Sequence, residues 1–408
     1  MGRSGRTKRG SSKVARSKKK RPIDVERSYQ RYRKRKGLGD QFPMLATPAE
    51  NIVRAQELVE KAVGEQGILH MKGILYKKEG IVGKGAFGEV WDCILPALTS
   101  QRDDRVEIEY VAKRISLQIP DVSDNVWMRK EFHRLLLQFV QEVKALMLFV
   151  NDPEVVRAVG GFIKKKRSHV TCCIVMEKSA MTLEEYMAQA NYSVAEGAKM
   201  CMSLVKVAEF TANKMGFVHG DLHSGNILCD ANGEHLKICD FGLAQAYGGD
   251  KDTVPAPPTN SVEDHRRNTE AWHISKRHRT RQADGACDHY SLGVMMLKLL
   301  CGNSNPVPFY FISYDVFLHP FPPGGYMLPD GTKDFLTETE EKIQQVVAPV
   351  LSLLKTCLVD GKVLPTVQLF DVLKTLSSSE EARELWVWYC RTKPNGAFET
   401  VNEEFENE

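Results

Sequence analysis

Three short segments of this chain hold residue types that could handle a phosphoryl group. The first is Ile81-Val82-Gly83-Lys84-Gly85-Ala86-Phe87-Gly88-Glu89-Val90, a G-x-G-x-x-G run. Where side chains are missing, backbone N–H groups can close over phosphate oxygens. The pattern alone is shared with dinucleotide-binding folds, which need a helix directly after the glycines. Here Glu89-Val90-Trp91 and then Val106 to Ala112 read as two strands. The glycines therefore join antiparallel strands, and Val90 would cover the base of a nucleotide. The second segment ends an apolar strand with a cation, Val111-Ala112-Lys113-Arg114. The third runs Phe217-Val218-His219-Gly220-Asp221-Leu222-His223-Ser224-Gly225-Asn226-Ile227-Leu228. Fourteen residues after Asn226 comes Asp240, in Cys239-Asp240-Phe241-Gly242-Leu243-Ala244. Phosphoryl transfer needs a base to orient the acceptor hydroxyl, and ions to neutralise the phosphates. Asp221 is the candidate base. Asn226 and Asp240 offer the amide and carboxylate oxygens that suit Mg²⁺.

Elements must bring these segments together. Leu135 to Val150 is an apolar-rich helical stretch after the Lys113 strand, and the carboxylates in or just before it are Glu131 and Glu142. Earlier, Ile52, Ala55, Leu58, Val59 and Ala62 recur at helical spacing between Gly37 and about residue 75. Strand-like runs begin near Ile74. No internal repeat is visible.

Taken in order, these motifs resemble those of the eukaryotic-type protein kinase superfamily, over roughly residues 76–377. The resemblance implies an α+β, bilobal fold with a β-rich N-lobe, a helical C-lobe and ATP between them. It implies that Gly83, Gly85, Phe87, Gly88, Val90, Ala112 and Lys113 surround the nucleotide. Met176-Glu177-Lys178-Ser179 matches the family's hinge, where Glu177 and Lys178 would meet adenine through backbone groups. Lys113 would contact the α- and β-phosphates, steadied by a glutamate. Glu142 is that glutamate, because Leu146 one turn later and Asn151-Asp152-Pro153 beyond it follow the family's order. Its distance from Lys113 is about ten residues longer than usual, which implies an insertion around Ile119 to Trp127. Asp288-His289-Tyr290-Ser291-Leu292-Gly293 matches the D-x-W-S-L-G helix start that braces the catalytic loop. Val363-Leu364-Pro365-Thr366, followed by Leu369, Val372 and Leu373, resembles the R-P-T-x-x-x-L-L helix.

The chain departs from the pattern at several positions. Gly220 replaces the arginine of H-R-D, which pairs with a phosphate on the activation segment, so its absence implies activity without that phosphate. His223 replaces a lysine two residues after the base, leaving both a catalytic, pH-dependent role and a structural one open. The A-P-E element is missing: Thr269 to Lys276 occupies its place, with Lys276 where the glutamate should be. That glutamate's partner, the arginine of R-P-T, is Leu364. Losing one partner would leave a buried unpaired charge costing about 3–5 kcal/mol, whereas replacing both can be neutral. H-G-D without A-P-E echoes the vaccinia-related kinases and the casein kinase I group. The long activation segment carries a Pro-rich piece, Val254 to Pro258. Its later, basic part (Arg266-Arg267 and Lys276 to Arg281) reads either as a preference for acidic partners or as a solvated loop.

Composition sets the outer limits. The 408 residues are 42% hydrophobic and 26% charged, enough apolar material for a core. Ten scattered cysteines with no C-x-x-C pair argue against a disulfide scaffold or zinc finger and fit a reducing compartment. No apolar run approaches ~18 residues, so no membrane helix is expected, and no secretory signal peptide. Arg6, where a Ser or Thr is wanted, speaks against N-myristoylation at Gly2. The net charge of +4 hides a division. Residues 1–37 hold 16 Lys/Arg against Asp24 and Glu26, while the remainder holds 40 Lys/Arg against 50 Asp/Glu. The expected organisation is a basic, disordered arm (1–37), a helical extension (38–75), a kinase domain (76–377), and a C-terminal helix with an acidic tail (378–408). Runs such as Lys18-Lys19-Lys20-Arg21 and Arg33-Lys34-Arg35-Lys36 suit nucleic acid or an import receptor, or form a solvated tail. The expected protein is an intracellular, nuclear or cytoplasmic Ser/Thr kinase (a virion-associated one included) that uses ATP and Mg²⁺ on protein substrates. Two alternatives are a small-molecule phosphotransferase of the same fold and a non-catalytic, nucleic-acid-binding scaffold.

Overall fold

The computed structural model describes residues 47–64, 75–85, 88–94, 109–121, 126–189, 192–244, 285–301, 326–327, 333–334, 338–358 and 362–390. The basic arm, Phe87, the activation segment from residue 245 to 284 and the acidic tail lie outside these residues.

The chain enters through helix α1 (Pro48–Gly64). Thr47 and Glu50 close its first turn reciprocally: Glu50 N–H donates to Thr47 Oγ1 at 3.2 Å, and Thr47 N–H to Glu50 Oε2 at 2.9 Å. Pro48 at the first helical position has no N–H to satisfy. Ile52, Ala55, Val59 and Val63 form its buried stripe.

An antiparallel sheet follows, from β1 (Leu75–Gly85), β2 (Gly88–Ile94), β3 (Tyr110–Gln118), β4 (Ala158–Lys165) and β5 (His169–Glu177). The spatial order is β1-β2-β3-β5-β4, so the crossover from β3 to β4 is made by helix α2 (Val126–Leu148). Strand β5 is buried at seven consecutive positions, which is why Val170-Thr171-Cys172-Cys173-Ile174-Val175-Met176 reads as a continuous apolar run and not an alternation. This sheet with α2 is the N-lobe.

The second lobe is helical. Short β6 (Met181–Thr182) leads into α3 (Leu183–Gln189) and α4 (Val194–Phe210). A Ser193/Glu196 capping box starts α4. Strands β7 (Ile227–Cys229) and β8 (Lys237–Ile238) join β6 in a three-stranded sheet of order β6-β7-β8. Helix α5 (Gly285–Cys301) is almost wholly buried from Asp288 onward. The two-stranded pair β9 (Tyr326–Met327) and β10 (Lys333–Asp334) precedes α6 (Glu338–Leu358), α7 (Thr366–Ser378) and a last helix, α8, over 380–390.

The core crosses both expected domain limits. The buried stripe of α1 before it (Ile52, Ala55, Val59 and Val63) and Trp386 and Tyr389 of α8 after it lie in the same apolar cluster as α2 and α4. The Trp386 indole N–H donates to Leu300 O at 2.8 Å, tying α8 to the end of α5. The packed unit therefore runs from residue 48 to residue 390, wider than 76–377. Cys93, Cys172, Cys173, Cys201, Cys229, Cys239, Cys301, Cys357 and Cys390 are free thiols.

Candidate active site

Lys113 stands near the middle of β3, paired across the sheet with Val90 on β2 and Ile174 on β5. Its Nζ lies 2.7 Å from Glu142 Oε1 on α2 and 2.9 Å from Asp240 Oδ1. Glu131 is not in this group, since its carboxylate pairs with Arg134 one turn along the same helix. Burial works against the charge of Lys113, yet Asp240 and Glu142 hold its pKa above the usual lysine range. Burial pushes the Glu142 carboxyl up to about 7, against the pull of Lys113. Burial also opposes the charge of Asp240, but Lys113 wins and holds that carboxyl below its ordinary value. The ammonium is thus the hub that keeps two carboxylates close together.

The loop carrying Asp221 is held from three sides. Asp288, in the first turn of α5, accepts the N–H of His219 at 2.8 Å and that of Gly220 at 3.1 Å. The His219 ring bonds Cys239 O through Nε2 at 3.0 Å and accepts the Asp221 N–H at Nδ1 at 3.3 Å. Its face rests on Phe241, with ring centroids 4.9 Å apart. Asn226 Nδ2 donates to Asp221 O at 2.8 Å and to its Oδ2 at 3.3 Å. Burial, helped by the negative Asp240, raises the Asp221 carboxyl to about 8. Gly220 has φ +79°, and a Cβ there would stand 3.0 Å from Leu243 O. The position expected to hold an arginine is thus a left-handed turn against the segment after Asp240.

His223 accepts the Gly225 N–H at Nδ1 (3.1 Å), which leaves its proton on Nε2, 4.0 Å from Asp221 Oδ2. Asp240 has φ 60°, a conformation that costs a non-glycine residue energy. It is held there by Lys113 and by the Gly242 N–H on Oδ1 at 3.3 Å. The preceding strand is tied to the N-lobe. Ile238 N–H donates to Glu154 O, and Val156 N–H to Ile238 O, so the loop after α2 and the approach to Asp240 move as one.

The glycine positions differ in kind. Gly85 and Gly88 face each other where β1 turns into β2. Gly88 has φ +142°, and a Cβ would fall 2.4 Å from Arg114 O, so close strand approach demands glycine there. A Cβ on Gly83 would meet nothing within 4 Å among the described residues, so the fold does not require glycine there. Lining this region is a cavity of about 470 Å³ between Gly88, Lys113, Ile115, Phe139, Glu142 and Asp240.

One expectation needs correcting. Ala112 does not belong with the nucleotide-facing residues. Side chains alternate along a strand, and Ala112 is buried with Cys93, Cys173 and Val175 in a small separate cluster. The face of Lys113 is shared by Val111 and by cross-strand Val90 and Met176. Period-two alternation counted back from Lys113 would have found Val111. At the hinge, the Glu177 N–H donates to Arg157 O and the Lys178 N–H to Glu109 O, both at 2.9 Å. Their side chains bind Lys237, and Asp92 with Glu109. These two N–H groups are committed to the fold, so a backbone contact with adenine from Glu177 or Lys178 falls to their carbonyl oxygens.

Sequence comparison places this geometry among known proteins. Residues 76–358 match the protein kinase domain family. Over 259 residues the chain is 26% identical to "Serine/threonine-protein kinase tricornered" of Drosophila pseudoobscura pseudoobscura, covering 54% of this chain and 50% of that one. It is 28% identical over 239 residues to "Serine/threonine-protein kinases drp72" of Corynebacterium efficiens, covering 58% and 41%. A third relative, "Serine/threonine-protein kinases PknA" of Corynebacterium glutamicum, is 27% identical over 244 residues, covering 60% and 46%. The chain spans half or less of the length of these relatives. With a matched segment that includes the glycine turn, the Lys113 hub and the Asp221 loop, the chain belongs to the protein kinase family.

Proposed function

We propose that the chain is a Ser/Thr protein kinase that transfers the γ-phosphate of ATP directly to hydroxyls of protein substrates. The observation that carries this reading is Lys113 Nζ held between Glu142 and Asp240, beside an Asp221 carboxylate fixed by Asn226. Three relatives whose names include "serine/threonine-protein kinase" support the choice of acceptor class.

The residues fit Mg²⁺. Among the described residues no cluster of three or more His, Cys, Asp or Glu could hold a metal alone. Mg²⁺ asks for less, because it binds through one or two protein oxygens plus phosphates and water. The Asn226 amide NH₂ is spent on Asp221, which leaves its Oδ1 as the donor, and Asp240 supplies a carboxylate that stays charged. Bound there, Mg²⁺ would neutralise phosphate charge.

Asp221 orients the acceptor hydroxyl and takes its proton. Lys113, steadied by Glu142, binds phosphate oxygens, and Gly83 leaves room for a phosphate under the strand turn. His223 presents its Nε2–H beside the base carboxylate as a second donor. Gly220 leaves no cation to read a phosphate on the activation segment, so activity without that modification is part of the proposal.

The test is transfer of label from γ-labelled ATP with Mg²⁺ to casein, histones and the chain itself, with aminoglycosides and sugars as rival acceptors. Protein label that Asp221→Asn lowers by about 10³-fold or more is the expected outcome. Label on small acceptors alone would favour a small-molecule phosphotransferase. ATP binding without transfer to any acceptor would overturn both.

A further inference from the structure

Helix α2 must hold Glu142 against Lys113, yet it does not close onto β3 along its whole length. The cavity of about 470 Å³ opens between Leu135, Gln138 and Phe139 on the helix and Ile115 and Leu117 on the strand. Gln138 Oε1 is buried there with no hydrogen-bond partner among the described residues. Below, α2 rests on the Phe241–Leu243 turn.

The back of α2 is packed instead. Leu136, Val140, Val143 and Met147 are all 2% exposed or less. At about 100° per residue they stand roughly 100–160° around the helix axis from Glu142. Val143 reaches β4, because a Cβ on Gly161 would lie 3.4 Å from its Cγ2. Helix α1 packs along both α2 and β4, and brings Ile52, Ala55 and Val59, each 1% exposed or less. It has its own anchor, since Gln56 Nε2 donates to Ile163 O on β4 at 3.0 Å.

We propose that α1 is the positioning element of the Lys113–Glu142 pair. Wedged against α2 and β4, it holds α2 from behind and keeps Glu142 on Lys113 with no phosphate on the activation segment. Ile52 and Val59 are positioning residues that act through Glu142. The inference rests on the kinase reading for its consequence in rate, but its structural content can be tested without it.

The experiment uses the full chain carrying Ile52→Ala with Val59→Ala. Hydrogen exchange should rise by about tenfold or more in residues 136–146 of α2, with the α4 and α5 amides unchanged. The KM for ATP should rise about tenfold while kcat falls less than about threefold. In a Glu142→Gln background the same pair of substitutions should change KM by less than about twofold, because the group they position is already disabled. Ile52→Val should restore the parent KM.

If the double variant does not fold, Gln56→Ala frees only the tie to β4 and should shift α2 exchange and KM in the same direction, by less. Unchanged α2 exchange, or an equal KM increase in both backgrounds, overturns the proposal. A parent chain that transfers no phosphate would sink the kinase reading alone, since the exchange measurement still decides whether α1 holds α2.

Discussion

At the residue scale, two glycines of one motif answer to different forces. Gly88 is glycine because β3 passes too close for a side chain: its missing Cβ would sit 2.4 Å from Arg114 O, at φ +142°. Gly83 has open space around that position among the described residues. Gly88→Ala should therefore lose about 2 kcal/mol or more in urea unfolding, through strain and displaced backbone. Gly83→Ala should change stability by less than about 0.5 kcal/mol. Its effect should fall on the KM for ATP. Equal destabilisation by both would mean that the strand turn, and no ligand, selects both glycines. Motif spelling alone gave no way to separate them.

At the scale of elements, the lost A-P-E/R-P-T ion pair has a visible substitute at one end. Leu364, in the arginine's place, is 3% exposed in the apolar core just before α7. Its N–H donates to His289 Nδ1 at 3.2 Å, so the His289 proton sits on Nε2, 3.3 Å from Thr211 Oγ1. The Thr211 hydroxyl in turn donates to Ala208 O at 2.9 Å. This chain of bonds joins α5, the end of α4 and the start of α7 without a charge. Leu364→Arg should bury an unpaired cation and cost about 3–5 kcal/mol by chemical denaturation. A neutral outcome would reveal a carboxylate partner beyond the described residues. Helix α8 is tied in differently, by bulk and one bond at Trp386. Trp386→Ala should lose about 3–5 kcal/mol, and Trp386→Phe, which drops the bond to Leu300 O, clearly less.

Across the whole molecule, pH and charge set two further outcomes. Burial lowers His289 to about 4, whereas an unfolded histidine titrates near 6.5. Between those values the unfolded chain binds the extra proton, so stability rises with pH over that window. The full contribution is present above about pH 6.5 and is lost progressively toward pH 4. From pH 7 to pH 5 the parent's stability in urea titrations should change less favourably than that of His289→Gln, because Glu142 and Asp221, whose raised carboxyls act in the opposite sense, are common to both. The basic arm, residues 1–37, lies outside the described residues, which begin at Thr47. Deleting residues 1–37 turns a net +4 chain into one with 40 Lys/Arg against 50 Asp/Glu. Phosphate transfer to a short peptide should persist in that variant.

Much of the site was legible because phosphate chemistry restricts residue types. Glycines that admit backbone, a lysine after an apolar run, an Asp with an Asn five residues on, and a second Asp could be read as a nucleotide-handling set from their order alone, although Lys113 proves to stand in mid-strand and not at its end. The fold class followed from that order through resemblance. Three-dimensional placement was another matter. Whether Ala112 or Val111 shares the face of Lys113 depends on strand pleat and register, and a shift of one residue reverses it. Residue types alone left two glutamates near Lys113 and the family's order selected Glu142; helix packing sets it at 2.7 Å and turns Glu131 to Arg134. The N–H groups of Glu177 and Lys178 bond Arg157 and Glu109, segments distant in the chain, which no reading of the hinge motif alone reveals. The amino-acid sequence by itself determined which groups are available for the chemistry, since residue type and order are local. The tertiary structure alone decided which of them meet, and that α1 and α8 belong to the same core, because burial is a property of the packed whole.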